Sequence, residues 1–415
     1  MSLNPSQKKI WASLGGAGAV AAVFLSWQTL AKPTFDYQVP EYPTVGLLTN
    51  FTQPKVVHLA TPEPLKAVYM TSCVAGTPSL RERVLKLVRE TEINAVVVDL
   101  KDYTGALSFP AKAEDLQGYV SSDCPIGDLE ALVKELHADN IYLIGRVTVF
   151  QDPLFAKRNP SEAVKKKSDQ NILWADRKGI NYIDPGSKVA WEHIVGIALD
   201  AYNQGVDEIN FDYIRFPSDG NMQDISFPIS ELRSKPAVLE EFFSYLNQKL
   251  KPSGMIISAD LFGMTTSSYV DVGIGQMWER TIPHFDYVAP MVYPSHYYTG
   301  FAGYTNPNEH PYEIVHEALA SAVARTVATT TMVLTKDGQA VASTSPQLYT
   351  KKGYNRAKIR PWLQDFDYPV PYTAEMVRAQ IRATSDLGLT SWMMWDPSNH
   401  YTPEVYAPIS PEMPR

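Results

Sequence analysis

Eight short apolar runs recur along the chain, and most are followed by a stretch with the spacing of an amphipathic helix. The runs are LKAVYM (65–70), INAVVVDL (93–100), IYLIGRVTVF (141–150), EINFDYIRF (208–216), MIISADLF (255–262), FDYVAPMVY (285–293), IRPWLQDF (359–366) and SWMMWDP (391–397). Near-continuous apolar strands joined by helices imply a parallel sheet covered on its outer face. Eight of them is the number that closes a (β/α)8 TIM barrel. The helical stretches carry their own punctuation. Thr77 and Pro78 supply a cap and a first helical position, Gly205 stops the helix near 189–204, and Thr373 and Gly388 bracket another. The competing open, doubly wound sheet would show a Gly-rich loop after its first strand, and TSCVAGTPS (71–79) is not GxGxxG.

Between Lys9 and Lys32 there is no charge. Residues 10–31, IWASLGGAGAVAAVFLSWQTLA, are long enough to span a bilayer, with Lys8 and Lys9 on the cytoplasmic side and Trp11 and Trp27 near the ends. Two readings stand, an uncleaved transmembrane signal anchor and a cleaved signal peptide. Both export the rest of the chain. The expected organisation is an anchor or signal over 1–31, a proline-rich linker over 32–64, a barrel over 65–400 and a proline-rich tail over 401–415. The linker is either an extended spacer or, in part, packed on the body. The body exceeds the usual barrel length of about 250 residues. The surplus lies in 152–188 and in 328–358, where a Lys336-Asp337-Gly338 turn between apolar runs reads as a small hairpin.

Side chains at the C-terminal ends of barrel strands share one pocket. Strand two ends in Asp99, Lys101 and Asp102, strand three near Arg146 and Asp152, and strand four in Asn210, Asp212 and Arg215. Strand five ends in Asp260, and strand six in Met291 and Tyr293 with His296 beyond. Strand seven offers Trp362, Gln364 and Asp365; strand eight offers Trp392, Trp395, Asp396 and His400. A single strand-end Asp is ordinarily a loop cap or an ion-pair partner, and a single Trp or Tyr is ordinarily core. Carboxylates at six of the eight ends, interleaved with aromatic rings, are harder to assign to stability, because buried unpaired carboxylates are costly. Paired carboxylates are what glycoside hydrolysis uses: one protonates the leaving oxygen, the other attacks the sugar carbon or activates water. Aromatic faces stack on the apolar faces of sugar rings.

Other chemistries find no pattern. The eight His show neither HxH nor HExxH, so no zinc site is expected, and there is no GxSxG elbow. No metal and no cofactor is expected. With 37 basic and 45 acidic side chains the net charge is −8, which excludes nucleic acid as the main partner. Cys73 and Cys124 fall on the same rim. A bridge between them is permitted in an exported protein, and two free buried thiols are the alternative.

The segment GVDEINFDYIRFP (205–217) resembles the fourth-strand motif of the bacterial putative glycosyl hydrolase domain family, a group of barrels related to α-amylase-type glycoside hydrolases. VVVDLKDYTG (96–105), GRVTVFQDP (145–153), APMVYPSHY (289–297) and PWLQDF (361–366) resemble further blocks of it. The resemblance implies a barrel fold and sugar-hydrolase character. In α-amylase-like barrels the strand-four Asp is the nucleophile, and Asp212 is similar in place. The strand-five acid there is a Glu, and Asp260 holds that position. Chitinase-like barrels carry DxxDxDxE on strand four. Asp207, Asn210, Asp212 and Ile214 occupy those places, so Asn210 and Ile214 argue against chitinase chemistry.

The sequence therefore reads as a membrane-anchored, extracytoplasmic glycoside hydrolase with an oligo- or polysaccharide as its partner. Asp212 is the expected nucleophile or base and Asp260 the general acid. Arg215 and Lys101 are expected to orient carboxylates, and Tyr293, Trp362 and Trp395 to form sugar subsites. Asp99, His296, Asp365 and Asp396 complete the binding set. The rival is a barrel that binds carbohydrate or scaffolds the envelope without catalysis. The gap between Asp212 and Asp260 discriminates: about 5–5.5 Å suits retention, about 6.5–9.5 Å inversion, and a far wider gap the binder.

Overall fold

The computed structural model describes residues 56–332 and 348–408. The 10–31 segment, most of the linker, the Lys336-Asp337-Gly338 turn and the end of the tail lie outside the described residues. Among the described residues no helix is long and apolar enough to cross a membrane.

All eight apolar runs contain strands: β1 (Lys66–Met70), β2 (Ala95–Lys101), β3 (Tyr142–Thr148), β4 (Glu208–Asp212), β5 (Ile256–Phe262), β6 (Tyr287–Met291), β7 (Trp362–Gln364) and β8 (Trp392–Trp395). They are parallel and close into one barrel in chain order, with β8 pairing β1. Seven helices cover the outside: α1 (Pro78–Glu90), α2 (Leu129–Ala138), α3 (Lys188–Asn203), α4 (Lys235–Leu250), the single turn α5 (Trp278–Thr281), α6 (Pro311–Val327) and α7 (Ala374–Asp386). The local signals act as expected. Pro78 opens α1 after Thr77, and the Thr373 hydroxyl accepts from the Met376 N–H at the start of α7. Gly205 and Gly388 stand at φ +106° and +69° just past α3 and α7, where a side chain would be strained. The strands at Thr330–Met332 and Leu348–Thr350 pair antiparallel, as the hairpin reading requires.

Alternation along each strand sorts side chains between two cores. Val96, Val98 and Leu100 of β2 and Leu143 and Val147 of β3 pack outward beneath the helices. Ala67, Tyr69, Ala95, Val97, Tyr142, Ile144, Ala289, Trp362 and Met393 fill the barrel. Gly145 faces outward, where an added Cβ would meet Leu100 Cδ1 at 2.3 Å, so β2, β3 and the layer outside them approach closely only with glycine there.

The barrel closes at both ends with chain from the flanks. Residues 56–64 lie against the floor: the Leu59 N–H donates to Asp207 Oδ1 at 2.7 Å, and the His58 ring stacks on Tyr202 at 3.9 Å. At the other end the tail folds back, with the Tyr401 hydroxyl donating to the Tyr69 carbonyl and that of Tyr406 donating to Asp365 Oδ2 at 3.0 Å. Packed structure thus starts before Leu65 and continues past residue 400.

Candidate active site

At the C-terminal mouth, Arg146 is the hub. It points inward from β3 in register with Asp99 of β2 and Asn210 of β4. Its Nη1 donates to Asp99 Oδ1 at 2.6 Å, and its Nε and Nη2 donate to Asp212 Oδ2, the former at 3.1 Å. The same Nε lies 4.0 Å from Asp260 Oδ2. The nearest Asp212 and Asp260 oxygens are therefore no farther apart than the total of 3.1 and 4.0 Å. That bound leaves out the far wider gap and reaches into both carboxylate spacings used by glycoside hydrolases.

The carboxyls at this hub stand in different environments. Asp212 accepts from Arg146 through Oδ2 and from the N–H of Tyr213 through Oδ1 at 2.5 Å. Tyr213 itself has φ +51°, a left-handed conformation rare for a bulky residue, and this turn ends β4 at Asp212 although the apolar run continues to Phe216. Asp260 is 1% exposed; its Oδ1 accepts from Trp362 Nε1 at 2.7 Å and Asn210 Nδ2 at 2.9 Å. Burial first, and the Asp212 charge second, hold the Asp260 carboxyl well above the usual carboxylate range, against the opposing pull of Arg146 and the two hydrogen bonds. Burial also raises Asp99, which accepts from the Tyr69 hydroxyl as well as from Arg146.

Aromatic rings wall the mouth. Trp395 stacks on Tyr69 at 3.9 Å, meets Trp362 edge-on at 5.5 Å, and carries the Arg146 guanidinium 5.2 Å from its ring centre. Tyr293 is buried, and burial together with the Asp260 and Asp212 charges keeps its phenol protonated. Its ring meets His296 at 5.3 Å and Phe366 at 5.7 Å, both edge-on.

Of the residues singled out in the sequence, Asp99, Asp212, Asp260, Tyr293, Trp362 and Trp395 are brought together here, with His296 at the edge. Four take other positions. Arg215 makes no bond to either carboxyl of the pair: its Nη1 donates to the Phe216 carbonyl and Ser218 Oγ, and it lies over the Tyr213 ring. The left-handed turn at Tyr213 has swung it out of the barrel line. Lys101 is fully buried against Asp152 at 2.9 Å and the Thr148 carbonyl, because the β2–β3 register shifts between Asp99 and Lys101 and turns it off the inward face. Asp365 anchors the tail, accepting from Thr402 N and Oγ1 and from Tyr406, and burial raises its pKa to about 6. Asp396 closes a turn by accepting from Ser398. Ile214, at the place of the chitinase acid, is buried in the outer core. The hub itself, Arg146, and its neighbour Tyr69 were not among the expected site residues. The alternation Tyr142, Ile144, Arg146 was the signal that could have found the former.

Cys73 and Cys124 form a disulfide that ties the loop after β1 to the loop before α2 on this face. Among the described residues no cluster of His, Cys, Asp or Glu is arranged to hold a metal ion.

The family described as Putative glycosyl hydrolase domain matches residues 67–401, and the chain belongs to it. No curated protein matches the sequence. A hypothetical protein from Ruminiclostridium thermocellum is 32% identical over 46% of this chain and 96% of its own, with TM-score 0.42. The PgaB (BpsB) glycoside hydrolase domain from Bordetella bronchiseptica is 13% identical and covers 83% of this chain and 99% of its own. Its TM-score of 0.55 is a likeness of fold.

Proposed function

We propose that the chain hydrolyses an extracytoplasmic polysaccharide with Asp260 as general acid and Asp212 as nucleophile or base. The observation that carries the reading is the unequal setting of the two carboxyls around Arg146. The guanidinium donates hydrogen bonds to Asp212. Asp260 is buried between Trp362 and Asn210, 4.0 Å from the same cation, and burial pushes its carboxyl well above the usual carboxylate range. Two nearby carboxyls in such unequal surroundings suit the division of labour that glycosidic cleavage needs. Both donors to Asp260 reach Oδ1, which leaves Oδ2 to carry the proton toward a glycosidic oxygen. Asp212 then attacks the anomeric carbon or takes a proton from water. Its Oδ2 accepts two hydrogen bonds from Arg146, while Oδ1 accepts one from Tyr213 and retains a lone pair for that step. Trp395, Trp362 and Tyr293 supply ring faces and edges for the sugar, and Asp99 holds Arg146 from the far side.

Export fits the same reading. The disulfide suits an oxidising compartment, and the apolar 10–31 segment would hold the barrel on the outer face of the membrane. The test exposes the full chain and its Asp212→Asn variant to cell-wall glycan strands, chitosan and linear β-glucan and measures new reducing ends. Release by the wild type that the folded variant loses is expected. A folded Asp212→Asn with full specific activity would reject the assignment.

A further inference from the structure

Among the described residues three tyrosines are exposed, Tyr103 at 56%, Tyr298 at 60% and Tyr368 at 59%, and no Phe or Trp is. All three lie in loops that leave the C-terminal ends of strands, after β2, β6 and β7. In a closed ring of eight, β2 and β6 stand four places apart, on opposite sides of the mouth. Tyr103 therefore faces Tyr298 and Tyr368 across the opening that holds Asp212 and Asp260.

The backbones under these rings are fixed. Asp102 Oδ1 accepts from Thr104 N at 2.9 Å, and the Asp102 carbonyl accepts from Gly105 N at 3.1 Å, so Tyr103 sits at the tip of a closed turn. The Tyr298 carbonyl accepts from Phe301 N at 3.1 Å, and its ring rests edge-on against Phe301. The Gln364 side chain donates to the carbonyls of Phe366 and Tyr368 at 3.0 and 3.2 Å. A large ring left in water on a pinned backbone forgoes burial without gaining freedom. On the β6 and β7 side, Tyr293, His296 and Phe366 meet edge-on and line the pocket from the same two loops that carry Tyr298 and Tyr368.

We infer that these tyrosines are distal sugar platforms on both sides of the cleavage point, and that the enzyme takes a long glycan lying across the mouth and cuts it internally. The inference rests on the proposed hydrolase reading and adds the direction of the chain and the mode of attack. A pocket built for chain ends would be walled on one side; here ring platforms flank the carboxyl pair on two.

The test uses the full chain on cell-wall glycan strands, chitosan and linear β-glucan. Internal cutting predicts that viscosity and polymer size fall well ahead of reducing ends. Tyr103→Ala and Tyr298→Ala should each raise KM on the polymer by about threefold to tenfold, with a smaller effect on a disaccharide, from the loss of one stacking contact. Val327→Ala, at the far end of α6, should change neither. Unchanged polymer kinetics in both tyrosine variants, or release of a single small product from chain ends, would overturn the inference while leaving the hydrolase reading intact. Failure of the wild type to cut any of the three glycans would count against both.

Discussion

The barrel holds buried charge at both ends, and the two ends are built differently. At the floor Glu208 meets Arg360 at 2.9 Å, one acid to one base. The Tyr142 hydroxyl donates to Glu208 at 3.2 Å, the Tyr287 ring lies 3.0 Å beneath the guanidinium, and residues 56–64 cover the cluster, with Thr61 against Tyr142. At the mouth Arg146 serves Asp99 and Asp212 and approaches Asp260, and the tail packs beside the cluster through Tyr401. The Glu208–Arg360 pair is balanced and covered, which is how a fold hides charge. The mouth has more acid than base, and desolvation there pushes Asp99 and Asp260 toward their protonated forms. Stability alone would not favour that excess, so the imbalance supports placing the proposed chemistry at the mouth.

The comparison breaks most sharply under matched substitutions. Asp212→Asn at the mouth should lower kcat by about a thousandfold or more, as removal of one member of a catalytic unit does. Its thermal midpoint should fall little, because Arg146 keeps Asp99. Glu208→Gln at the floor should do the reverse, costing about 3–5 kcal/mol by leaving Arg360 buried without its charge partner, while turnover per folded molecule stays unchanged. Chemical denaturation paired with specific activity checks both. Equal losses of activity and stability in the two variants would erase the distinction between the ends.

A second pairing concerns what holds the mouth together. The Cys73–Cys124 bridge spans a sequence separation of 51 and ties two loops of the mouth; the floor relies on packing and the Asp207 hydrogen bonds instead. Reduction, or a double Cys→Ser change, should cost about 2–4 kcal/mol. A larger loss of turnover than of stability would place the bridge in the service of the site. Titration after denaturation under oxidising conditions should find no free thiol.

How far the two ends could be read in the sequence follows from how alternation works. Every barrel run contained its strand, because burial on both faces gives a near-continuous apolar run. Asp99, Asn210, Asp212 and Asp260 were legible because they lie within regular strand, where period two fixes the face. Lys101 and Arg215 were misplaced for one shared reason. Lys101 stands two residues beyond the inward Asp99 and Arg215 three beyond Asp212, and in each case the strand ceases to be regular in between, at the β2 register shift and at the left-handed Tyr213. Arg146 was named at its strand end but given no role, for the opposite reason. It obeys the alternation, but a lone cation in an apolar run shows its meaning only when closure sets β2, β3 and β4 side by side. The floor pair was out of reach in the same way, since Glu208 and Arg360 are 152 positions apart.

The smallest expected effect concerns the seam where the tail joins the mouth. Asp365 is buried, and its pKa of about 6 lies above the ordinary value of about 3.9, chiefly from burial, with the Thr402 and Tyr406 hydrogen bonds pulling the other way. Between those two values the folded chain holds more protons than the unfolded one, so stability must fall as pH rises through that window and level off above it. The contribution of this one group is at most about 3 kcal/mol. Asp260 and Asp99 are shifted in the same direction, so the wild-type slope is not Asp365's alone. Asp365→Asn isolates its share. The Asn oxygen can still accept from Thr402, and the Tyr406 hydroxyl can rotate to accept from the new amide. Denaturation midpoints from pH 4 to pH 8 should show the variant losing less stability than the wild type across the window. If Asp365→Asn tracks the wild type at every pH, the carboxyl is charged throughout and the tail is held by an ordinary acceptor.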